Sequence, residues 1–252
     1  MNVSKILGII PARYASTRFP GKPLADICGK TMIERVYTQA MKAKLLSDVI
    51  VATDDQRIYE CVKNFGGKVL MTSSELPNGT ARCHQAAEKY VYDSGQKVDL
   101  VINIQGDEPL LDPMMIDELA EFFIDKVVES VTLCRELDDE SQYTNPNIVK
   151  VVMGLSGDAL YFSRSMIPYK RNKTKLPIYQ HIGIYGYEFD FLRDYVALPP
   201  SPLSEAESLE QLKILENQYR MRVKVTSCKS PSIGVDTPED LQRVREIINA
   251  GI

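Results

Sequence analysis

The stretch VDLVINIQGDEPLLDP, residues 98–113, decides how the chain is to be read. Residues 98–104 (VDLVINI) are nearly all apolar and do not alternate, so a strand here is covered on both faces, as in a parallel sheet between two helix layers. The polar cluster QGDEP, 105–109, follows at once. Asp112-Pro113 then opens a helix, with proline in the first turn, where its missing N–H goes unused. Buried strand, polar turn, helix is the repeating unit of an α/β protein.

Working outward, the unit recurs. Residues 5–10 read as a first strand, and 31–43 as a helix with Ile33, Val36, Ala40 and Met41 on one face. Residues 48–53 (DVIVAT) form a second strand, and Asp54-Asp55 begin a helix through 65. Residues 68–71 make a short third strand, with a helix after Thr80. The order implies an α/β fold, a doubly wound, mostly parallel sheet with helices on both faces. Ligands on such sheets bind beyond the carboxyl ends of the strands, near the reversal in strand order. The polar clusters fall there: a basic loop after strand one, Asp54 after strand two, and QGDEP after strand four.

The second half changes character. Strands at 148–153 and 159–163 flank a glycine turn, and a polar, basic segment 169–174 leads to a strand at 181–187. A helix spans 205–219, a strand 221–226, and a closing helix 237–250 is capped by Thr237 with Pro238 in its first turn. This reads as one domain with a core of about 1–127 and 221–252 and an inserted α+β subdomain of about 128–220.

Of 252 residues, 44% are hydrophobic and 25% charged, the profile of an ordinary globular domain. A net charge of -4 argues against a nucleic-acid binder, which needs a basic face. Five scattered cysteines have neither zinc-site spacing nor the density of a disulfide scaffold, so reduced thiols are expected. With no leader-like segment and no run of about 20 apolar residues, no membrane span is expected and the cytoplasm is the expected compartment.

Against that acidic background, PARYASTRFPGKP, 11–23, places Arg13, Arg18 and Lys22 in one loop. Gly21 permits close backbone approach, and arginine can grip phosphate with paired donors. Neither GxxxxGK[ST] nor GxGxxG is present. A phosphate-binding loop is the functional reading; a solvated loop whose cations pair with nearby carboxylates is the bland one. Asp107, in QGDEP, and Asp236, in GVDTPED, form a second element. Two carboxylates at strand ends suit Mg²⁺, which takes one or two carboxylates plus substrate phosphate oxygens. Asp107 as a turn residue and Asp236 as a helix cap are the alternatives. In the inserted region Arg164, His181, Tyr185, Glu210 and Gln211 stand out only weakly, although His181 and Tyr185 share a strand face.

Taken in order, IIPARYASTRFPGKPL, VATDD (51–55), QGDEP, ALYFSRSMIP (159–168), HIGIYGY (181–187), SLEQL (208–212) and GVDTPED (234–240) resemble the 3-deoxy-manno-octulosonate cytidylyltransferase (CMP-Kdo synthetase) family over nearly the whole chain. The resemblance implies a Rossmann-like nucleotidyltransferase fold, and a homodimeric, Mg²⁺-dependent enzyme. It would transfer CMP from CTP to the anomeric hydroxyl of 3-deoxy-D-manno-octulosonate (Kdo), an acidic eight-carbon sugar, for surface polysaccharide such as lipopolysaccharide or capsule. It further implies triphosphate binding by Arg13, Arg18 and Lys22, metal binding by Asp107 and Asp236, and cytosine and ribose contacts by Thr72, Arg82 and Gln105. Arg164, His181, Tyr185, Glu210 and Gln211 would bind the sugar, and the insertion would serve dimerisation. Catalysis would rest on Lys22, Arg13, Asp107 and Asp236.

The chain departs from the family at Asn78-Gly79-Thr80-Ala81-Arg82, where Ser-Gly-Thr-Glu-Arg is usual and the acidic residue is lost at Ala81. The alternatives are a cytidylyltransferase for another acidic sugar, such as an 8-amino octulosonate or a sialic-acid-like sugar, and a non-catalytic nucleotide-binding homologue.

Overall fold

A computed structural model describes residues 5–15, 19–125, 128–172, 174–230 and 233–251. In chain order the elements are β1 (Ile6–Ala12), β2 (Asp26–Ile27), β3 (Lys30–Thr31), α1 (Met32–Ala40), β4 (Asp48–Thr53), α2 (Gln56–Asn64), β5 (Val69–Met71), α3 (Gly79–Ser94), β6 (Leu100–Asn103) and α4 (Pro113–Asp125). There follow β7 (Ser130–Glu136), β8 (Lys150–Met153), β9 (Ala159–Ser163), β10 (Tyr179–Glu188), α5 (Phe189–Ala197), α6 (Pro202–Glu207), α7 (Leu212–Glu216), β11 (Met221–Val225) and α8 (Pro238–Asn249).

The main sheet runs β11-β7-β10-β6-β1-β4-β5, with β8 and β9 continuing from β10. Along this path β10 alone runs antiparallel to its neighbours β6 and β7, while β1, β4, β5 and β6 pair in parallel, as do β7 and β11. Residues 128–220 thus supply β7 and β10 to the central sheet as well as β8, β9 and α5–α7.

Alternation along the strands sends side chains to two cores. Ile6 and Ile10 of β1, Val49 and Val51 of β4, and Leu100 and Ile102 of β6 pack with α1, α2, α4 and α8. Leu7 and Ile9, Ile50 and Ala52, and Val101 face the other way, against α3, α5 and α7. Both sets are buried, which is why these strands read as unbroken apolar runs.

The expected helix over 205–219 is two helices. α6 stops at Ser208, whose φ of 51° and ψ of 49° are left-handed, and α7 starts afresh at Leu212. Leu209, Gln211, Leu212, Lys213 and Ile214 are all buried. No single helix face can bury so nearly continuous a run, so the chain turns instead. Two elements were not read from sequence: β7, central to the sheet, and α5, which follows β10 without a break.

β10 is irregular where it matters most. Its register against β7 shifts between Ile182 and Tyr185. Thr132 of β7 pins the irregularity, its hydroxyl lying 3.2 Å from Ile182 O and 2.8 Å from Ile184 O. His181 Nε2 is 2.9 Å from the same oxygen. The hydroxyl hydrogen serves the carbonyls, so the histidine N–H donates to the threonine oxygen. Thr132→Val keeps the shape and removes all three partners at once. It is expected to lower unfolding free energy by about 1–3 kcal/mol, the scale for buried groups left unpaired. Urea melts at pH 7 measure this, and an unchanged midpoint would show that the hydroxyl does not hold the bulge.

Candidate active site

The strand order reverses at β1. The chain leaves it to one side for β4 and β5, then returns to the other flank with β6. The crevice at the carboxyl ends of β1 and β6 is therefore the expected ligand site, and the two loops that border it meet closely. A Cβ on Gly106 would lie 2.9 Å from the carbonyl oxygen of Pro11, so only glycine lets the QGDEP turn cross the end of β1. On the β1 side, Gly21 adopts a φ of 72° and its N–H closes the loop on Tyr14 O at 3.0 Å. Lys22 follows directly.

The Lys22 ammonium is the centre of the site. Nζ lies 2.8 Å from Asp107 Oδ2, 2.8 Å from Val235 O and 3.3 Å from Asp236 Oδ1. The two carboxylates predicted from sequence thus converge on one point. Asp236 is not the cap of α8. Thr237 takes that role in a reciprocal pair with Asp240, leaving the Asp236 carboxylate directed at Lys22.

From this centre a cleft opens in two lobes that share Gly79, Gln105, Asp107 and Asp236. The first lobe has a volume of about 310 Å³, and Arg13, Lys22 and Arg82 bring three cations to its wall. Arg13 is exposed and has no ion pair among the described residues. Arg82 is 4% exposed and held by Asp54 Oδ2 at 3.1 Å and by the Thr72 hydroxyl. Gln105 borders both lobes. Arg18 lies outside the described residues. Asp54, which sequence reading placed near the site without a role, is thus the ionic partner of Arg82.

The second lobe, about 470 Å³, takes in Arg164, Tyr185, Glu210 and Gln211. Arg164 donates to the carbonyls of Glu207 at 2.7 Å, Pro146 at 3.0 Å and Ser208 at 3.3 Å. Three of the five guanidinium N–H groups are thereby used, leaving two and the full charge for a ligand. The left-handed turn at Ser208 brings Glu210 back against α3. Its carboxylate accepts from Asn78 Nδ2 at 2.6 Å and from Thr80 Oγ1 at 3.2 Å. Burial pushes this carboxyl above the usual range, with Lys213 and the Thr80 hydroxyl opposing the shift. Asn78 is also the cap of α3, accepting from the Ala81 N–H at 2.8 Å. At the position where an acidic side chain was expected, the chain has the small buried Ala81, and the carboxylate beside this helix start belongs to Glu210.

His181 does not reach the cleft wall. It is 8% exposed and sits behind Tyr185, with ring centroids 5.5 Å apart, and edge-on to Phe162 at 4.9 Å. Tyr187 and Tyr195 extend the file of rings and also border the second lobe. Burial drives His181 from its ordinary 6.5 down to about 3. The folded-state value lies below the unfolded one, so only the unfolded chain takes up a proton between them. The stability contributed is whole above pH 6.5 and is lost as pH falls toward 3, by up to ~1.4 kcal/mol per pH unit. Between pH 6.5 and 5 the native protein is expected to lose about 1.5 kcal/mol more unfolding free energy than His181→Gln, measured by urea melts at each pH. Equal losses would place the imidazole in solvent.

With this geometry in hand, the cytidylyltransferase family profile matches residues 7–225. The chain belongs to that family and is a nucleotidyltransferase. A 3-deoxy-manno-octulosonate cytidylyltransferase from Solibacter usitatus (strain Ellin6076) is 46% identical over 250 residues, 98% of this chain and 96% of the relative. One from Fusobacterium nucleatum subsp. nucleatum is 50% identical over 241 residues, 95% of each. A solved CMP:2-keto-3-deoxy-manno-octonic acid synthetase in complex with CTP is 41% identical, with a TM-score of 0.91 over 99% of this chain and 100% of that one.

Proposed function

We propose that this protein transfers CMP from CTP to the anomeric hydroxyl of Kdo, releasing pyrophosphate, and so supplies an activated sugar for surface polysaccharide. The observation that carries this reading is the two-lobed cleft with Lys22, Asp107 and Asp236 at its joint. A triphosphate suits the cationic first lobe, and a polyhydroxylated acid suits the second.

In the transfer, the hydroxyl oxygen forms a bond to the α-phosphorus, the bond to the pyrophosphate oxygen breaks, and the hydroxyl proton passes to solvent. Most of the catalysis in such a displacement is positioning and charge neutralisation. Arg13 and Lys22 meet the charge on the departing pyrophosphate, and Arg82 and Gln105 orient the nucleoside. Arg164 faces the sugar carboxylate with its two remaining donors. Glu210, with its carboxyl shifted toward the neutral form by burial, stands close to an acidic sugar at reduced electrostatic cost. Tyr185 and Gln211 complete the acceptor wall.

Asp107 and Asp236 are the residues that would hold Mg²⁺. Their oxygens lie within 3.3 Å of one atom, Lys22 Nζ, and no group of three or more His, Cys, Asp or Glu fit for a metal occurs among the described residues. Two carboxylates suit an ion that fills its other positions with water and phosphate oxygens. When bound, the ion supplies neutralising charge at the α-phosphate and acidifies the attacking hydroxyl.

We infer a homodimer formed through the β8–β9 region, where Leu155 and Leu160 are exposed and, among the described residues, β9 pairs with β8 alone in the sheet. The cytoplasm, where CTP is made, is the expected compartment. Among the described residues no helix is long and apolar enough to cross a membrane.

Purified protein with Mg²⁺ and CTP is expected to release pyrophosphate only when Kdo is added; release that does not depend on the sugar, or none with Kdo while CTP binds, rejects the acceptor. Asp107→Ala is expected to lower kcat by at least ~10²-fold, the scale for losing one key electrostatic group. Near-normal turnover in that variant would remove Asp107 from the chemistry.

A further inference from the structure

We propose that Asn103 reads a hydroxyl group of the acceptor sugar. The inference rests on the acceptor assignment above and adds to it a residue that selects among acceptors.

Asn103 is the last residue of β6, after Leu100, Val101 and Ile102. Alternation puts it on the same sheet face as Val101, toward α3 and α5. There it stands directly opposite Tyr185 of β10 in the antiparallel pair, and beside Ile9 of β1. It is 2% exposed and borders the second lobe of the cleft. A polar amide in so apolar a strand must be satisfied by something, because a buried carbonyl without a partner is costly.

Within the protein it is not satisfied. Asn103 Oδ1 is buried and has no hydrogen-bond partner among the described residues. Gln211 in the same lobe is 3% exposed, and its Nε2 is buried and likewise without a partner among the described residues. One is an acceptor and the other a donor. A hydroxyl both donates and accepts, so a ligand rich in hydroxyls is the chemistry that answers both. The two amides are neutral, which lets them line a lobe destined for an anion without repelling it. Since half a turn about the Cβ–Cγ bond exchanges oxygen for NH₂, the Asn103 amide can meet a hydroxyl in either sense.

An acceptor lacking the matching hydroxyl would leave the amide buried and unpaired, and a site of this kind discriminates strongly against such analogues. The experiment compares native protein with Asn103→Leu, using CTP, Mg²⁺, Kdo and Kdo analogues each missing one hydroxyl. The variant is expected to raise KM for Kdo by roughly 10–100-fold while KM for CTP stays within about twofold. Its Tm in the free protein is expected to hold or rise, because an unsatisfied polar group has been replaced by an apolar one. The native protein is expected to disfavour one analogue by at least ~10-fold, and the variant to lose that preference. Asn103→Ala, which adds no bulk, should give the same split and serves if the leucine variant misfolds.

An unchanged KM for Kdo overturns the inference. So does a lowered Tm with both KM values rising together, the mark of a residue that only holds its strand. If the native protein itself fails to turn over Kdo, the acceptor assignment falls and this inference with it. Native turnover with an indifferent variant removes Asn103 alone.

Discussion

One ammonium group organises the cleft. Lys22 Nζ binds Asp107 and Asp236 and the carbonyl of Val235, and so ties the loop after β1 to the turn after β6 and to the segment before α8. These segments are 85 and 214 residues away along the chain. Without a cation between them, two carboxylates converging on one point would repel each other. The Val235 N–H also donates to Asp107 O at 2.9 Å, so the backbone repeats the connection that the side chains make. The last helix is held to the core at the place where chemistry is proposed, and fold and site share one contact.

The two lobes are built differently. The first lobe is made of loops and a helix start: the glycine-containing turns at 21 and 106, and the cap of α3. The second lobe adds strand side chains, Asn103 and Tyr185 facing each other across a ladder, to loop residues such as Arg164 and the turn at Ser208. Glu210 of the second lobe holds Asn78, the cap of α3 that borders the first lobe, and Thr80 in its first turn. The lobes thus share a hydrogen-bonded contact at the start of α3.

Much of this was legible in the sequence, for reasons that differ by residue. Residues 48–53 announce a strand because both faces are buried, and the observed β4 has those limits. The basic loop, QGDEP and GVDTPED stand out because their charges cluster within a few positions of a strand end, and the structure brings Arg13, Lys22, Asp107 and Asp236 together. β7 escaped notice because Ser130, Thr132 and Cys134 alternate with Val131 and Leu133, giving a weak apolar signal for a strand with neighbours on both sides. α5 follows β10 with no turn residue to mark its start. The side chains of the second lobe were legible only through the family resemblance, since they are scattered between Arg164 and Gln211 and meet through register and a left-handed turn. His181 joins that set by pattern, but it is buried beside Tyr185 and does not line the cleft. Asn103 was hidden by its company: one polar letter in a run of apolar ones reads as tolerated, and only the register shows which way it faces.

The reversed direction of β10 has a consequence for how such a protein can diverge. In a sheet of parallel strands, the face at the carboxyl ends is served by loops, which accept insertions and substitutions with little effect on the rest. β10 instead delivers part of its own ladder to that face, with β6 on one side and β7 on the other. A lineage that edits the loops of the first lobe changes one segment at a time. A lineage that edits the strand-borne part of the second lobe, Asn103 and Tyr185, must change a central strand together with the partners on either side of it. The strand-borne part of the second lobe should therefore drift more slowly than the loops of the first, and a change at Ala81 is of the kind that helix starts can absorb.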